Sequence, residues 1–337
     1  MTKDEISLLI NEGVFPCSCS NPKLIETHIS WVILCNEFVF KIKKPLKYSF
    51  LDFSTIDKRL FYCKEEIRLN WRLTFNVYLG IHEIRSHSGR ITMDGTNGQL
   101  IDHAVRMRRL NGEKQMSFLL ENDLVREEDI KNIAARIAQF HKRTRVVYKK
   151  NNNHSLSNKF NDLRAESDFL DEQLGHWSGV AIENAIKQSD AFLKEYYKLI
   201  KARQESGYHR DVHGDLHSGN IFLLPEPVIF DCIEFNEEYR EIDILNEVAF
   251  LAMDLDAHSK KSLSDLLLDS YAHCMSISLD EQTMQLFQYY KAYRANIRAK
   301  VNSLRARSAN AGTDRDKPLS ESAKYLHLME RYLTHIK

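Results

Sequence analysis

The amino-acid sequence predicts an α+β protein with two lobes: a small β-rich N-terminal lobe with one main helix, residues 1–107, and a larger helical lobe, residues 108–337. Three observations support this interpretation. β-Branched and aromatic residues are concentrated in the first third of the chain, which is typical of strands. Beyond Asn111-Gly112, apolar residues mostly recur every three or four positions, which indicates helices. One strand-like region interrupts the helical pattern, at residues 221–235.

The strands of the N-terminal lobe are predicted on both sides of its helix. Residues 24–43 contain two or three strands, with a turn at Asn36-Glu37. From Ser54 to Leu73 the apolar residues recur at three- and four-residue steps, so a helix is expected there with Ser54 as its N-cap. Further strand-like stretches are separated by turns rich in Gly, Asn and Asp, and they lie at 76–85, 89–93 and 102–110.

The larger lobe is predicted from its helical periodicity. Helices are expected at 126–143, 160–173 and 182–203, and the pattern is again helical from residue 241 to the end. No internal repeat and no low-complexity linker divides the chain.

The composition is that of an ordinary globular protein, 43% hydrophobic and 28% charged. The 47 basic residues equal the 47 acidic ones, so no nucleic-acid partner is expected. Asp4 and Glu5 stand where a signal peptide would be basic, and no apolar run approaches the ~18 residues that span a bilayer. We therefore expect a soluble cytoplasmic protein without a membrane partner, whose six cysteines are reduced thiols.

The stretch YHRDVHGDLHSGNIF, residues 208–222, contains two candidate catalytic aspartates. Phosphoryl transfer to a hydroxyl uses an aspartate that orients the hydroxyl and accepts its proton, and an asparagine five residues later that binds the metal. Asp211 has Leu216 at that position, whereas Asp215 has Asn220. The spacing therefore predicts Asp215 as the catalytic base.

A second metal ligand is expected on a β-hairpin after this loop. The apolar stretch IFLL follows Asn220, then a Pro-Glu-Pro turn, then VIF and Asp231. Asn220 and Asp231 are thus the predicted Mg²⁺ ligands.

Several segments resemble one known superfamily. They are THISWVILCNEFVFKIKKPLKYSFLDFST, EEIRLNWRL, HGDLHSGNIF, DCIEFNEEYREID and EVAFLAMDLDA, and they are spread over residues 27–257. They resemble the aminoglycoside phosphotransferase and choline kinase superfamily, which has the protein-kinase-like fold. More narrowly, they are similar to bacterial proteins that fuse such a domain to a P-loop ATPase. No GxxxxGK[ST] occurs here, so we expect the kinase-like half alone, and a separate P-loop ATPase is a candidate partner.

The resemblance implies an ATP site with a strand lysine and a helix glutamate. Alignment of VFK with the family's strand favours Lys41, with Lys43 as the alternative. Counting back seven residues from Leu73 favours Glu66, with Glu65 as the alternative.

The remaining nucleotide contacts are implied by the fold of that superfamily. The turn Thr27–Trp31 would cover the phosphates through backbone N–H groups and the Thr27 or Ser30 hydroxyl, since no glycine-rich loop precedes Lys41. The adenine would pair with the backbone of residues 107–110, which include Met107 and Arg109.

The sequence therefore predicts a magnesium-dependent, aminoglycoside phosphotransferase-like kinase that moves the γ-phosphoryl group of ATP to a small-molecule hydroxyl. A protein acceptor is not expected, because a predicted helix follows Asp231 within about twelve residues and leaves no room for a long activation segment. A nucleotide-binding module without turnover and an AMP-transferring enzyme are the alternatives.

Four basic residues fall on one stripe of a C-terminal helix, and their surroundings determine whether they could bind an acceptor of negative charge. The stripe is interpreted as a solvated helix face, and an anionic acceptor is the alternative. Its members are Lys291, Arg294, Arg298 and Arg305.

Overall fold

The computed structural model describes residues 1–48, 51–74, 76–148, 153–309 and 312–336. The strands are β1 (Lys23–Glu26), β2 (Ser30–Leu34), β3 (Phe38–Lys43), β4 (Lys47–Tyr48), β5 (Leu51–Asp52), β6 (Tyr78–His87), β7 (Arg90–Met93), β8 (Gln99–Arg108), β9 (His209–Asp211), β10 (Ile221–Phe222), β11 (Val228–Ile229) and β12 (Glu241–Asp243). The helices are α1 (Lys3–Glu12), α2 (Ile56–Asn70), α3 (Met116–Glu121), α4 (Glu127–Arg143), α5 (Asn153–Asn161), α6 (Ser167–Leu174), α7 (Trp177–Glu195), α8 (Tyr197–Glu205), α9 (Ile244–Ala257), α10 (Lys261–Met275), α11 (Glu281–Ser308) and α12 (Thr313–Thr334).

The chain divides into two compact units. Unit 1 comprises Met1–Phe118 and Asn220–Tyr239, and unit 2 comprises Leu119–Gly219 and Arg240–Lys337. Unit 1 is thus built from two separate stretches of sequence. It takes in the β10–β11 hairpin, which the sequence boundary after residue 107 assigned to the other lobe.

Unit 1 is organised around an antiparallel sheet of strand order β1-β2-β3-β8-β6-β7. Because side chains alternate along a strand, β3 contributes to both faces. Phe40 and Ile42 belong to an apolar cluster that includes residues of α1. Val39 belongs to a second cluster, with Cys63 and Ile67 of α2. The alternation therefore sends Lys41 and Lys43 to the α2 face with Val39.

Helix α2 begins one residue later than the sequence suggested. The Thr55 hydroxyl accepts a hydrogen bond from the Lys58 N–H, 3.3 Å away, and is the N-cap. The prediction of Ser54 is wrong, because the Ser54 side chain instead donates to Asp52 Oδ1 at 2.5 Å. Either residue type can satisfy a free N–H group of the first turn, so residue type alone does not choose between neighbours.

Unit 2 is mainly helical, as predicted. Every residue from Ile244 to Asp256 in α9 is buried, and α9 packs against α10, α11 and α12. Strands β9 and β12 pair with each other. Strand β9 lies directly before the loop at 213–219, and β12 lies directly before α9. This arrangement places the loop next to the start of the buried helix.

Cys19 and Cys35 form a disulfide, with their Cα atoms 4.5 Å apart. The prediction that all six cysteines are reduced is wrong for this pair. The reason is the hairpin: Lys23 of β1 lies opposite Leu34 of β2, so the residues before β1 run beside those after β2. No helix in the described ranges is both long and apolar enough to cross a membrane.

Candidate functional site

In unit 1, Glu66 joins the two lysines of β3. Lys41 Nζ lies 2.8 Å from Glu66 Oε1, and Lys43 Nζ lies 2.7 Å from Glu66 Oε2. The Glu66 side chain is fully buried on α2. Glu65 is not part of this cluster, because it forms a surface ion pair with Arg68 one helical turn away. Both sequence alternatives for the lysine thus contact the same carboxylate.

The lysines differ in their second carboxylate partner. Lys41 Nζ lies 2.5 Å from Asp231 Oδ1, and the Asp231 side chain is 40% exposed. Lys43 forms its second ion pair with Glu234, and both of these side chains are buried. Lys41 therefore belongs to the solvent-accessible part of the cluster, and Lys43 to its enclosed part.

The pKa values of these groups reflect burial and mutual attraction. Burial disfavours the charged form of Lys41, but Asp231 and Glu66 outweigh it and hold the pKa of Lys41 well above its ordinary value. Burial likewise disfavours ionised Glu66, but the charges of Lys41 and Lys43 lower its pKa below the ordinary value. The two lysines and Glu66 therefore remain charged at neutral pH.

Asn220 and Asp231 lie at the same end of the β10–β11 hairpin. Ile221 pairs with Ile229, and the Phe230 N–H donates to the Asn220 carbonyl at 3.1 Å. Asp231 follows in the left-handed backbone region, with φ 63°, which aspartate adopts more readily than most residues.

Contacts from the rest of unit 1 hold the chain around Asp231. Its N–H donates to Tyr78 Oη at 3.1 Å, and the Cys232 N–H donates to Asn70 Oδ1 at 2.9 Å. The Asn70 amide in turn donates to the Glu66 carbonyl at 2.8 Å. Helix α2 thus positions both the glutamate and the segment that follows the hairpin.

The described residues contain no group of three or more His, Cys, Asp and Glu side chains that could bind a metal by themselves. Mg²⁺ usually needs only one or two protein ligands besides water and substrate phosphates. Asp231 uses Oδ1 for Lys41, and its other oxygen has no ion-pair or hydrogen-bond partner in the described part of the chain. Asn220 lies at the same hairpin end, and a carboxylate together with an amide is a donor set that fits such a partly hydrated ion.

In unit 2, Glu247 holds the backbone of the loop 213–219. Its buried carboxylate accepts hydrogen bonds from the His213 N–H at 2.7 Å and the Gly214 N–H at 3.0 Å. Gly214 has φ 90°, a conformation that glycine adopts without strain. Arg294 of α11 donates to the Gly214 carbonyl at 3.1 Å. The residue before Asp215 is thus fixed through both its N–H and its carbonyl group.

The Asp215 side chain is 38% exposed, and its Oδ2 lies 3.5 Å from His217 Nε2. Partial burial raises the pKa of Asp215, but His217, Arg298 and His213 outweigh this and hold it below the ordinary value. Asp215 is therefore ionised at neutral pH and can accept a hydrogen bond from a hydroxyl group.

Asp211, the other aspartate of the stretch, has a structural environment. It lies in β9, and its Oδ1 accepts a hydrogen bond from Arg240 Nε at 3.0 Å. Its neighbour Arg210 donates to the carbonyls of His141 and Gly207. Asp211 is buried and committed to the β9–β12 region, whereas Asp215 is open to solvent.

No family model matches this chain. Uncharacterized proteins of Mycobacterium tuberculosis and Mycobacterium bovis are 30% identical to it over 314 residues, which cover 92% of this chain and 59% of theirs. The chain thus spans 59% of the length of these curated relatives.

Solved structures identify the fold. A choline kinase from Cryptosporidium parvum superposes with a TM-score of 0.55 at 12% identity, covering 92% of this chain and 89% of that one. A Plasmodium vivax ethanolamine kinase has a TM-score of 0.53 at 11% identity, covering 90% and 81%. The GDP complex of aminoglycoside 2'-phosphotransferase-IIIa has a TM-score of 0.51 at 13% identity, covering 97% and 98%.

The chain has the kinase-like fold. The predicted fold class is thereby confirmed, with a curled β-sheet lobe and a larger helical lobe. The resemblance stated from the sequence is also confirmed in respect of fold, because choline and ethanolamine kinases and aminoglycoside phosphotransferases share it.

Three further residues were expected to contact the nucleotide in this kinase-like fold. Ser30 is buried, and its N–H donates to Thr27 Oγ1 at 2.9 Å, so this group closes the β1–β2 turn. Met107 is buried in β8 opposite Val39. The Arg109 N–H donates to the Glu37 carbonyl at 2.8 Å, so this N–H is already bonded within the chain. Their nucleotide contacts stay predictions.

Sequence reasoning missed the residues that support the Asp215 loop. Glu247, Asp254 and Arg294 contact it from sequence distances of 33 to 80 residues, and Asp254 Oδ2 accepts from the Ser218 N–H at 2.8 Å. One signal was present: Glu247 and Asp254 lie in a largely apolar helical stretch, and a buried acidic residue needs a donor.

The interpretation of the basic stripe as a solvated face is wrong for Lys291 and Arg294, which are both buried. Lys291 pairs with Asp256 at 3.1 Å, and Arg294 binds Asn246 and Gly214. The physical reason is that α11 is enclosed by α9 and α12, so the charges meet buried partners instead of water.

Proposed function

We propose that this protein is an ATP-dependent phosphotransferase that moves the γ-phosphoryl group to a hydroxyl of a small molecule. The observation that carries the proposal is the position of Lys41, whose Nζ contacts both Glu66 on the helix and Asp231 at the hairpin end. Kinases use this combination of strand lysine, helix glutamate and metal-binding aspartate for phosphoryl transfer.

In unit 1, the proposed role of Lys41 is to neutralise phosphate charge. Glu66 holds its ammonium in place, and a phosphate oxygen would take the position of Asp231 Oδ1 beside it. Asp231 and Asn220 would hold Mg²⁺. When bound, Mg²⁺ withdraws charge from the phosphate oxygens and aligns the transferred group.

In unit 2, the proposed role of Asp215 is to orient the acceptor hydroxyl and accept its proton. The new bond joins the hydroxyl oxygen to the γ-phosphorus, and the bond to the β-phosphate oxygen breaks, leaving ADP. Because Glu247 and Arg294 fix the backbone at Gly214, Asp215 requires little reorganisation before transfer.

The proposal can be tested by measuring ADP formation by the purified protein. Pools of neutral sugars, sugar acids, sugar phosphates, amino alcohols and aminoglycosides would be supplied with ATP and Mg²⁺, and with EDTA as the control. Mass spectrometry of the product distinguishes a phosphate ester from an AMP ester. If no pool supports ADP formation and no Mg²⁺-dependent nucleotide binding occurs, the proposal is refuted. Binding without turnover would favour the nucleotide-binding module.

A further inference from the structure

Helix α11 passes beside the loop that carries Asp215. Arg294 contacts the Gly214 carbonyl at 3.1 Å, next to Asp215 in the chain. Arg298 lies four residues later and Arg305 eleven residues later, and both spacings return to the same face of an α-helix. The face of α11 that meets the loop therefore continues as a row of guanidinium groups.

Arg298 and Arg305 differ from the other basic residues of the stripe. Lys291 is neutralised by Asp256, whereas neither Arg298 nor Arg305 forms an ion pair with a carboxylate of the described residues. The Nε–H of Arg298 is buried and has no hydrogen-bond partner in the same ranges. A buried donor left in this state is destabilising unless a ligand or water accepts from it.

The guanidinium group of Arg298 has a defined aromatic neighbour. Arg298 lies over the ring of Tyr325 of α12, 5.4 Å from the ring centroid. Partial desolvation of its guanidinium group and the charge of Arg298 lower the pKa of Arg305, while Asp215 acts in the opposite direction. The two arginines therefore repel each other, and both lie within electrostatic reach of Asp215.

We infer that Arg298 and Arg305 bind an oxyanion carried by the acceptor, so that the acceptor is a hydroxyl compound with a phosphate or carboxylate group. This inference rests on the proposed function, in which Asp215 receives the hydroxyl. An oxyanion would relieve the repulsion between the two arginines and accept a hydrogen bond from the Nε–H of Arg298. Arginine is well suited to this task because its planar donors match phosphate and carboxylate groups. A polycationic aminoglycoside would be repelled by the same charges.

The anion site can be tested without turnover. Inorganic phosphate is titrated into the full chain by calorimetry at low ionic strength, for the wild type and for the variants Arg298→Gln and Arg305→Gln. We expect each variant to bind phosphate about tenfold more weakly or worse, as for loss of a charge-assisted hydrogen bond. Arg305 is exposed, so its variant should fold even if Arg298→Gln does not.

Lys300→Gln is the matched control. It removes one positive charge from α11 on another face, where Lys300 pairs with Asp162 at 3.4 Å. We expect phosphate affinity within about twofold of the wild type, since a charge that is already paired with a carboxylate on another face of the helix contributes little. No phosphate binding by the wild type, or equal losses in Lys300→Gln and Arg305→Gln, would overturn the inference.

Turnover of four six-carbon sugar derivatives then tests the acceptor: glucose, glucosamine, gluconate and glucose 6-phosphate. We expect the two anionic compounds to have the higher kcat/KM, and Arg305→Gln to remove this preference mainly by raising KM. A preference for glucose or glucosamine that Arg305→Gln leaves unchanged would refute an anionic acceptor. If none of the four is used, the proposed function is in question, while phosphate binding still decides the anion site.

Discussion

Lys41 and Lys43 stand two residues apart on β3 and contact the same glutamate, yet their substitutions should have different effects. Lys43→Met leaves Glu66 and Glu234 without their shared cation, and neither carboxylate is more than 4% exposed. In Lys41→Met, Glu66 keeps its ion pair with Lys43. Asp231 loses its lysine partner, but its side chain is 40% exposed and can be solvated. The first change should mainly destabilise the protein, and the second should mainly weaken nucleotide binding.

The magnitudes follow from burial. Removing one member of a buried ion pair destabilises a protein by about 3–5 kcal/mol, since an uncompensated charge remains, and this range applies to Lys43→Met. For Lys41→Met we expect a smaller loss of stability, because water can solvate Asp231, and about 10- to 100-fold weaker binding of ATP through the lost charge-assisted contact. The double variant Lys43→Met/Glu234→Gln removes both charges of the enclosed pair, so it should recover about 2–3 kcal/mol of the loss.

Urea denaturation followed by circular dichroism gives the free energy of unfolding for the four proteins, and ATP titration of those that are folded gives the affinity. If Lys43→Met is as stable as the double variant, then Lys43 and Glu234 do not form the enclosed pair described here. If Lys43→Met rather than Lys41→Met loses ATP affinity while remaining folded, then Lys43 is the phosphate-binding lysine.

Three further predictions concern other parts of the chain. Asp215→Asn should reduce turnover by about 10²–10⁴-fold with little change in stability, whereas Asp211→Asn should lower the free energy of unfolding by about 1–3 kcal/mol and keep kcat within a few-fold; the opposite outcome would restore Asp211 as the base. Burial raises the pKa of Glu247 to about 7 from its ordinary 4.5 despite Arg294 and two backbone N–H groups, so the folded state binds the proton more tightly. The stabilisation from this bound proton is fully present below about pH 4.5 and is lost by about pH 7. Over that interval the free energy of unfolding of the wild type, measured by urea denaturation, should fall by about 3 kcal/mol more than that of Glu247→Gln. Parallel curves of unfolding free energy against pH would contradict this prediction. The Cys19–Cys35 disulfide joins two residues that are 16 positions apart in the sequence, so its reduction should lower the free energy of unfolding by about 3 kcal/mol. Titration of six rather than four thiols in the unreduced, denatured protein would contradict the pairing.

Local periodicity predicted much of the fold and the face on which the lysines lie. The alternation of β3 correctly placed Val39, Lys41 and Lys43 together, because a strand repeats every two residues. The same repeat cannot distinguish Lys41 from Lys43, since both side chains reach α2. Their second partners separate them, and Glu234 is 191 residues from Lys43 in the sequence.

The supports of the Asp215 loop depend on contacts between distant segments. Glu247 and Arg294 reach the loop only once α9 and α11 are packed, and no spacing rule connects residues 34 or 80 positions apart. The proposed catalytic motif can therefore be predicted from its spacing. The residues that hold its backbone cannot, because many different scaffolds would satisfy the same N–H and carbonyl groups.

The division of unit 1 into two stretches of sequence has a consequence for biosynthesis. On a ribosome, Met1–Phe118 is made first, and the partners Asp231 and Glu234 come only after Leu119–Gly219 has been translated, on the order of ten seconds later. During that interval the nascent sheet contains two lysines at buried positions with Glu66 as their nearby carboxylate. The N-terminal segment should therefore remain incompletely folded until the hairpin emerges, and expression of that segment alone should yield chaperone-bound or aggregated material.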